Sequence, residues 1–406
     1  MKIVFVNPVG AIGGAERSLL TIFAALLNSQ PDIQLHLIVG TEGPMIEAAQ
    51  KLGVQVQLLA LPAAVNQLGD SIFKGKNKVV VSLISLLRII EILPAISKYI
   101  WKFRQFLREL KPDLIHSNGI KAHLLVALAR VRNVPVVWHI QDFYGSRPLM
   151  AQVLQWMSAS SNLGIAISQA VAQDARVTLP GLPIEVIYHA VEVNYFSPNS
   201  PIAAPNSKED CPAHLPLQVG LVATFARWKG HDIFLAAAAR ILKAHPELNV
   251  RFCIVGGAIY KTQGSQFSEQ ELRSKALQLE IADKVDFLGF QQNIAEIYRS
   301  LDIVVHASTQ PEPFGLAIVE AMACGRPVIV SQAGGAAELF THNYDAIGVL
   351  PGDSIALAAA ILDLLDHAEK RQFISEKARQ TVVEHFSHKR LSQQVMAVYK
   401  SVLSSK

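Results

Sequence analysis

Short runs of aliphatic and β-branched residues alternate with stretches of helical periodicity along most of the chain. Five runs occur in the first half, at residues 2–7, 33–40, 54–61, 113–118 and 134–142. Five more occur in the second half, at residues 219–225, 250–257, 284–290, 303–308 and 327–331. Buried parallel strands read as short apolar runs separated by helices. The pattern therefore predicts an α/β protein of two Rossmann-like, doubly wound domains that face each other across a cleft.

A stretch rich in Pro, Asn and Ser, residues 196–218, interrupts the alternation and predicts a loop between the domains. We place the first domain at residues 1–196, the linker at 197–217 and the second domain at 218–386. The last residues, 387–406, have helical periodicity.

Composition narrows the class of protein. The chain has 406 residues, of which 50% are hydrophobic and 17% charged, so it can bury two cores. A net charge of +4 is too small to indicate a nucleic-acid partner. The start, "MKIVFVNP", reads as a strand and not as a secretory signal. The scattered Cys211, Cys253 and Cys324 indicate a reducing, cytoplasmic compartment without a disulfide framework.

Two glutamates in the second domain, Glu312 and Glu320, lie where carboxylates are unexpected. Pro313 disfavours helix at Glu312, which therefore lies on a loop after the strand at 303–308. A helix is expected to begin near Gly315, and its N-terminus suits a phosphate. Glu320 lies roughly 7 Å further along that helix at about 1.5 Å per residue. A carboxylate there suits the paired hydroxyls of a ribose, so the spacing predicts a sugar nucleotide across the helix start. Taken alone, the pair also fits two solvated acids.

The surrounding sequence, "EPFGLAIVEAMACGRPVIVSQAGGAAE" at 312–338, resembles the signature of retaining glycosyltransferases of the GT-B fold, family 4. "GGAERSLL" (13–20), "VIYHAVEVNYFSP" (186–198) and "FARWKGHDIFL" (225–235) are similar to three further family segments. The resemblance implies that helix 387–406 packs back on the N-terminal domain. It also implies a metal-independent reaction without a cofactor, in line with the absence of any Asp-x-Asp sequence and with dispersed histidines.

The resemblance assigns roles in donor binding. Glu312 is expected at the reacting centre, beside the donor sugar, and Glu320 on the ribose. The remaining donor-binding residues are expected to hold the sugar and diphosphate: Gly14, Arg227, Lys229, Phe314, Gly315 and Leu316. Family members usually carry the phosphate-binding Arg further upstream, where this chain has Thr224.

The wall of the predicted cleft carries polar residues from the first domain. Many members have a His at the position of Gln141, whereas here His139 precedes it by two residues. Alternate strand residues share a face, so both are expected on one wall, His139 with a catalytic role. Asp142 is expected to orient His139 or to bind acceptor, and His116 to lie at the same strand ends. A buried structural role is the alternative for both histidines.

Residues 73–111 differ from the rest of the chain. They contain nine Lys or Arg against two Glu, with Phe73, Tyr99, Trp101, Phe103 and Phe106 interleaved. The apolar run 79–93 is too short to cross a bilayer. A basic, aromatic, amphipathic segment favours an anionic membrane surface, with a pair of long helices and a solvated basic face as the alternative.

Together these features predict a retaining glycosyltransferase that uses a nucleoside-diphosphate sugar and a glycan, lipid or small-molecule hydroxyl acceptor. The expected setting is cell-envelope or polysaccharide synthesis, in the cytoplasm or on the inner face of the membrane. The alternatives are a catalytically weak nucleotide-sugar-binding paralogue and a sugar-nucleotide epimerase of the same fold.

Overall fold

The computed structural model describes residues 1–62, 78–199, 215–258 and 264–405, with the backbone alone for residues 78–92. The chain divides into two compact units. The first consists of Met1–Tyr188 and His388–Lys406, and the second of His189–Ser387.

The first unit contains a seven-stranded sheet whose described strands are all parallel, in the order β3-β2-β1-β4-β5-β6-β7. The strands are β1 Lys2–Asn7, β2 Gln34–Val39, β3 Gln55–Leu58, β4 Leu114–Asn118, β5 Val136–Ile140, β6 Leu163–Ala166 and β7 Ile184–Val186. The helices are α1 Gly14–Ser29, α2 Pro44–Lys51, α3 Lys78–Leu110, α4 Ile120–Ala129, α5 Pro148–Ser158, α6 Gln169–Thr178 and, from the C-terminus, α13 His388–Ser404. The central strands are buried from end to end, as parallel strands covered on both faces must be.

The second unit contains a six-stranded parallel sheet in the order β10-β9-β8-β11-β12-β13 among its described residues. The strands are β8 Leu217–Val222, β9 Val250–Val255, β10 Val285–Gly289, β11 Ile303–His306, β12 Val328–Ser331 and β13 Ile347–Val349. The helices are α7 His231–Ala244, α8 Glu269–Gln278, α9 Ile294–Ser300, α10 Leu316–Ala323, α11 Ser354–Asp366 and α12 Ala368–His385. The strand order reverses between β8 and β11, and ligands bind at such a switch point in doubly wound sheets.

The two-sheet α/β architecture predicted from the sequence is confirmed. Each of the ten expected strands is present, shortened by a few residues in most cases. Three strands were not anticipated, β6, β7 and β13, because they have only three or four residues and two of them contain glycine.

The boundary between the units lies earlier than the sequence suggested. Residues 189–196 belong to the second unit, where the Val191 N–H donates to the Phe386 carbonyl at 2.9 Å. The Arg299 guanidinium also donates to the Tyr195 carbonyl at 3.2 Å. Most of the expected linker, residues 200–214, lies outside the described part of the chain.

The C-terminal helix α13 belongs to the first unit, where it packs against α1. Its Tyr399 is fully buried, and the hydroxyl hydrogen-bonds Nδ1 of His116 on β4 at 2.8 Å. Among the described residues, no helix combines the length and apolarity that crossing a bilayer requires. Cys253 and Cys324 are buried free thiols, and Cys211 lies outside the described residues.

Candidate active site

The segment Pro311–Glu312–Pro313 leaves β11 as extended backbone and is fixed against a second loop. The Glu312 N–H donates to the Ala333 carbonyl at 3.2 Å, and the Gly335 N–H donates to the Glu312 carbonyl at 2.7 Å. Gly334 between them has φ +66°, and a Cβ there would lie 2.5 Å from the Glu312 carbonyl oxygen. Only glycine therefore allows this close approach. The two loops hold Glu312 in one place.

The Glu312 side chain is buried, so it is not the solvated acid that an isolated carboxylate suggests. Lys229 Nζ donates to both of its oxygens, at 2.9 Å to Oε1 and 2.7 Å to Oε2. Ser308 Oγ donates to Oε2 at 2.9 Å, and His306 Nε2 lies 3.2 Å from the same oxygen.

Opposing effects set the pKa of Glu312. Burial acts to raise it, but the charge of Lys229 and the hydrogen bonds from His306 and Lys229 outweigh burial. The net result is a pKa well below the usual range of a glutamate. The group is therefore a carboxylate at neutral pH, which stabilises nearby positive charge and does not act as a proton donor.

Lys229 comes from a one-turn 3₁₀ helix, Arg227–Lys229, that follows β8. The Thr309 N–H after β11 donates to the Trp228 carbonyl at 2.7 Å, which joins this turn to the loop that carries Glu312. The Lys229 ammonium also lies 4.0 Å from the centroid of the Trp228 ring. The neighbouring strands β8 and β11 thus deliver a cation and a carboxylate to the same sheet edge.

Helix α10 begins beside Glu312. Gly315 caps it with φ +109°, a left-handed conformation that side chains disfavour. Phe314 is buried and packs edge-on against His189, with ring centroids 4.9 Å apart. The backbone N–H groups from Phe314 to Leu316 therefore belong to a rigid helix start, the kind of site that binds anions.

Glu320 is the fifth residue of α10 and is buried. The Tyr298 hydroxyl on α9 donates to Glu320 Oε2 at 3.0 Å. Glu320 is thus not a solvated acid on the surface of the helix, which was the alternative interpretation of the sequence.

Arg227 engages other partners. Its guanidinium forms a 2.7 Å ion pair with Glu271, donates to the Gly264 carbonyl and lies 4.3 Å from the centroid of the Phe267 ring. In the structure the Arg227 guanidinium thus pairs with an acid of α8 and not with Glu312.

The first unit places His116 and His139 side by side in its interior. The rings meet edge-on with centroids 5.1 Å apart, and both side chains are buried. Burial lowers the pKa of His139 to about 3, so this imidazole is neutral near pH 7. This is the surrounding expected of core histidines, and the catalytic role of His139 stays a prediction.

Gln141 and Asp142 follow β5 at the carboxyl edge of the first sheet. Gln141 Nε2 donates to Asn118 Oδ1 at 2.9 Å, and Asn118 Nδ2 in turn donates to Asn7 Oδ1 at 2.9 Å. The Asp142 carboxylate forms a 2.9 Å ion pair with Arg147. The amides thus link the ends of β1, β4 and β5 into a polar edge.

Gly14 is the first residue of α1, and the Gly-rich turn at residues 8–13 separates it from β1. A Cβ at Gly14 would meet no atom within 4 Å, so the backbone there is accessible. Glu16 accepts the Gly13 N–H at 3.0 Å and closes the helix start. No cluster of His, Cys, Asp and Glu suited to a metal ion occurs among the described residues.

Two models of glycosyltransferase families match this chain, one in each half. The model described as Glycosyltransferase Family 4 matches residues 12–195, and the model described as Glycosyl transferases group 1 matches residues 213–381. Together they account for both units. The chain belongs to the family 4 glycosyltransferases. The similarity stated from its sequence motifs is therefore confirmed.

Solved structures agree on the GT-B fold of this glycosyltransferase. Anabaena Alr3699/HepE in complex with UDP and glucose aligns with a TM-score of 0.78 and 26% identity over 99% of this chain and 100% of that one. A glycosyltransferase from Rickettsia africae aligns with a TM-score of 0.75 and 20% identity over 100% and 99% of the two chains, which shows the fold alone.

Curated relatives match part of this glycosyltransferase. An uncharacterized glycosyltransferase of Methanocaldococcus jannaschii is 32% identical over 42% of each chain. The N-acetyl-alpha-D-glucosaminyl L-malate synthase of Bacillus anthracis is 25% identical over 64% of this chain and 65% of that enzyme. The D-inositol 3-phosphate glycosyltransferase of Corynebacterium kroppenstedtii is 32% identical over 48% and 43%. The chain thus spans between two fifths and two thirds of these relatives.

Sequence reasoning missed His306, Ser308 and Tyr298, whose side chains contact the two glutamates. A signal for the first two was available, because His and Ser two residues apart at the end of an apolar strand share a face. Tyr298 lies on a different helix from Glu320, so spacing along the chain does not reveal it.

Proposed function

We propose that this protein is a retaining, metal-independent glycosyltransferase that moves a sugar from a uridine diphosphate sugar to a hydroxyl acceptor. The observation that carries the proposal is the ionised Glu312, held by Lys229 beside the start of α10. Uridine is favoured because HepE, which is 26% identical, was solved with UDP and with UDP-glucose. The acceptor is a glycan, a lipid or a small molecule of envelope or polysaccharide synthesis.

The chemistry follows from the charges of the second unit. The diphosphate binds the N–H groups at residues 314–316 and the Lys229 ammonium, while Glu320 binds the ribose. As the bond between the anomeric carbon and the β-phosphate oxygen breaks, negative charge grows on the phosphate and is stabilised by these fixed donors. The Glu312 carboxylate stabilises the positive charge that develops on the sugar ring.

The acceptor attacks from the face that the diphosphate leaves, so the configuration at the anomeric carbon is retained. The new bond joins the anomeric carbon to the acceptor oxygen, and the acceptor proton passes to the departing phosphate oxygen. Glu312 is already ionised and therefore does not supply a proton in this step.

A thermal-shift screen with UDP, GDP and ADP tests donor binding. A ligand present at one hundred times its dissociation constant stabilises the folded chain by about 2.7 kcal/mol. We expect UDP to raise the melting temperature most. A chain that responds to none of the three contradicts the proposed function.

Replacing Glu312 with glutamine is expected to lower the UDP-glucose hydrolysis rate about 100-fold or more, because a neutral amide cannot stabilise the oxocarbenium-like charge. Affinity for UDP, measured by calorimetry, should hold or improve, because Lys229 loses its competing partner. Glu320→Gln is the matched control: it should weaken UDP binding about tenfold with little effect on the rate at saturation.

The same assay separates the alternatives. Glu312→Gln with an unchanged rate would remove the assigned role. UDP binding without turnover would indicate a nucleotide-sugar-binding paralogue, and conversion of UDP-glucose to an isomeric UDP-sugar would indicate an epimerase. NMR of the released or transferred sugar shows whether the anomeric configuration is retained, and turnover in EDTA shows whether a metal is needed.

We also infer that helices α3 to α5 of the first unit contact an anionic lipid surface. On α5, Leu149, Val153 and Trp156 are 62%, 38% and 84% exposed, and their spacing puts them on one face. Helix α4 packs against both α3 and α5. Residues 93–158 carry nine Lys or Arg against three Asp or Glu, so apolar and basic groups share this layer.

The aromatic residues of the basic segment divide between core and surface. Trp101 is exposed, whereas Tyr99 and Phe103 are buried. The Tyr99 hydroxyl donates to the Leu59 carbonyl at 3.3 Å, so these two rings pack α3 onto the sheet. Phe73 lies outside the described residues. Lipid contact from α3 is thus assigned to Trp101 and the basic side chains.

The double substitution Leu149→Ser and Trp156→Ser is expected to weaken sedimentation with phosphatidylglycerol-containing vesicles about tenfold, because two apolar side chains leave the interface. Val177→Ser on α6, which removes another highly exposed apolar side chain, is the control and should bind as the unchanged chain does. Equal binding by the double variant, or binding to neutral vesicles alone, contradicts the assignment.

A further inference from the structure

The carboxylate of Glu312 receives two kinds of donor. Lys229 bridges both oxygens, whereas Ser308 and His306 both approach Oε2, at 2.9 and 3.2 Å. Ser308 Oγ and His306 Nε2 are 3.1 Å apart, so the three groups form one cluster with Glu312. An ammonium, a hydroxyl and an imidazole therefore share a single carboxylate.

His306 and Ser308 are held rigidly. His306 is the last residue of β11 and Ser308 follows two residues later, and both side chains are buried. Nδ1 of His306 is buried without a hydrogen-bond partner among the described residues, so the ring's polar contacts there are made through Nε2. With a proton on Nε2, the ring donates to the Glu312 carboxylate.

In the proposed reaction, the Glu312 carboxylate and the leaving diphosphate both bind the Lys229 ammonium. In the structure its ammonium is bound to Glu312, but the leaving diphosphate needs the same charge. Each step that draws Lys229 toward phosphate removes a donor from a buried carboxylate, which is costly unless other donors remain. Ser308 and His306 are those remaining donors, and both bind the oxygen that Lys229 approaches most closely.

We propose that His306 and Ser308 are positioning residues that hold the Glu312 carboxylate at the anomeric carbon while Lys229 moves to the diphosphate. This inference rests on the proposed function. The Lys229 ammonium follows the leaving group, and the Ser308 hydroxyl and His306 imidazole keep the carboxylate in place.

The test is a separation of rate from binding. Ser308→Ala is expected to lower the UDP-glucose hydrolysis rate at saturation about tenfold, and Ser308→Ala with His306→Leu about 100-fold, because one or two hydrogen bonds to a charged group are lost. UDP affinity by calorimetry should change less than twofold. Ser308→Thr keeps a hydroxyl and His306→Gln keeps an N–H donor, so each of these variants should retain most of the rate of the unchanged chain.

A matched control lies elsewhere in the second unit. The Thr381 hydroxyl donates to Asp345 Oδ2 at 2.7 Å, a similar hydroxyl–carboxylate bond on other elements. Thr381→Val should leave the hydrolysis rate unchanged. A folded double variant with the full rate, or rates that follow UDP affinity, would overturn the positioning role.

A second measurement does not depend on activity. In a Lys229→Met background, Ser308 and His306 are the side-chain donors left to the carboxylate among the described residues. Ser308→Ala should therefore lower the melting temperature by about 3 °C more than it does in the unchanged chain. Equal effects in both backgrounds would contradict the anchoring. If the unchanged chain binds UDP-glucose without turnover, the proposed function and the catalytic part of this inference are contradicted. The difference in melting temperature between the two backgrounds still shows whether Ser308 and His306 hold Glu312.

Discussion

Replacing Lys229 with methionine is expected to lower the unfolding free energy at neutral pH by about 3 kcal/mol, and to abolish measurable UDP-glucose turnover. The reason is the burial of its partner. The Glu312 side chain is 10% exposed and Lys229 19%, so removing the cation leaves a buried carboxylate whose remaining side-chain donors, among the described residues, are Ser308 and His306. Urea denaturation measures the first effect and a coupled UDP assay the second.

Two control variants isolate the cause. In the double variant Lys229→Met with Glu312→Gln, no charge is left unpaired, so most of the lost stability should return while turnover stays absent. Lys370 forms a 2.6 Å ion pair with Asp363 at a half-exposed position, and Lys370→Met should cost less than about 1 kcal/mol. If Lys229→Met costs no more than Lys370→Met, the Glu312 carboxylate is not buried as described.

The local structure around Glu312 was predictable because its determinants are close in the sequence. Pro313 keeps Glu312 out of helix, and Gly315 and Gly325 mark the two ends of α10. The spacing to Glu320 then follows from helical rise alone. These arguments need only neighbouring residues and standard backbone geometry.

The partners of Glu312 were less accessible to such arguments. Lys229 is 83 residues away in the chain, and only the resemblance to a known family connected them. Ser308 and His306 are close in sequence, but a polar residue at a strand end has many roles and its direction depends on the loop. The ion pair of Arg227 with Glu271 is likewise set by tertiary packing.

The first unit shows the same limit. The alternation of strand residues predicted a shared face for His139 and Gln141, but not that His139 is buried against His116 while Gln141 binds the Asn118 amide at the sheet edge. The position of helix α13, whose Tyr399 binds His116, depends on residues 283 positions apart.

The buried histidines of the first unit are expected to make the protein acid-labile, with the unfolding free energy about 4 kcal/mol lower at pH 5.5 than at pH 7.5. Burial lowers the pKa of His116, His123 and His139 below the usual 6.5, to about 3 for His139. The His123 Nδ1 atom lies 2.7 Å from Ser117 Oγ, within hydrogen-bond distance, and the His123 ring stacks on Trp138. Unfolding exposes all three rings to water.

The sign follows from proton uptake. Between the two pKa values the unfolded chain binds protons that the folded chain excludes, so stability is complete above about pH 6.5 and declines as the pH falls toward 3. Each histidine contributes up to about 1.4 kcal/mol per pH unit in this window. Hydrogen exchange of peptides from β4 and β5, followed from pH 7.5 to 5.5, measures the loss in the first unit.

His139→Leu tests the source of this lability because it removes one titrating group from the cluster. The loss of stability between pH 7.5 and pH 5.5 should become smaller by about 1.4 kcal/mol, whatever the variant does to stability at pH 7.5. His385→Asn, at a position where the side chain is 68% exposed, should leave the slope unchanged. A slope that is the same in all three chains would mean that other groups, and not the buried imidazoles, take up the protons on unfolding.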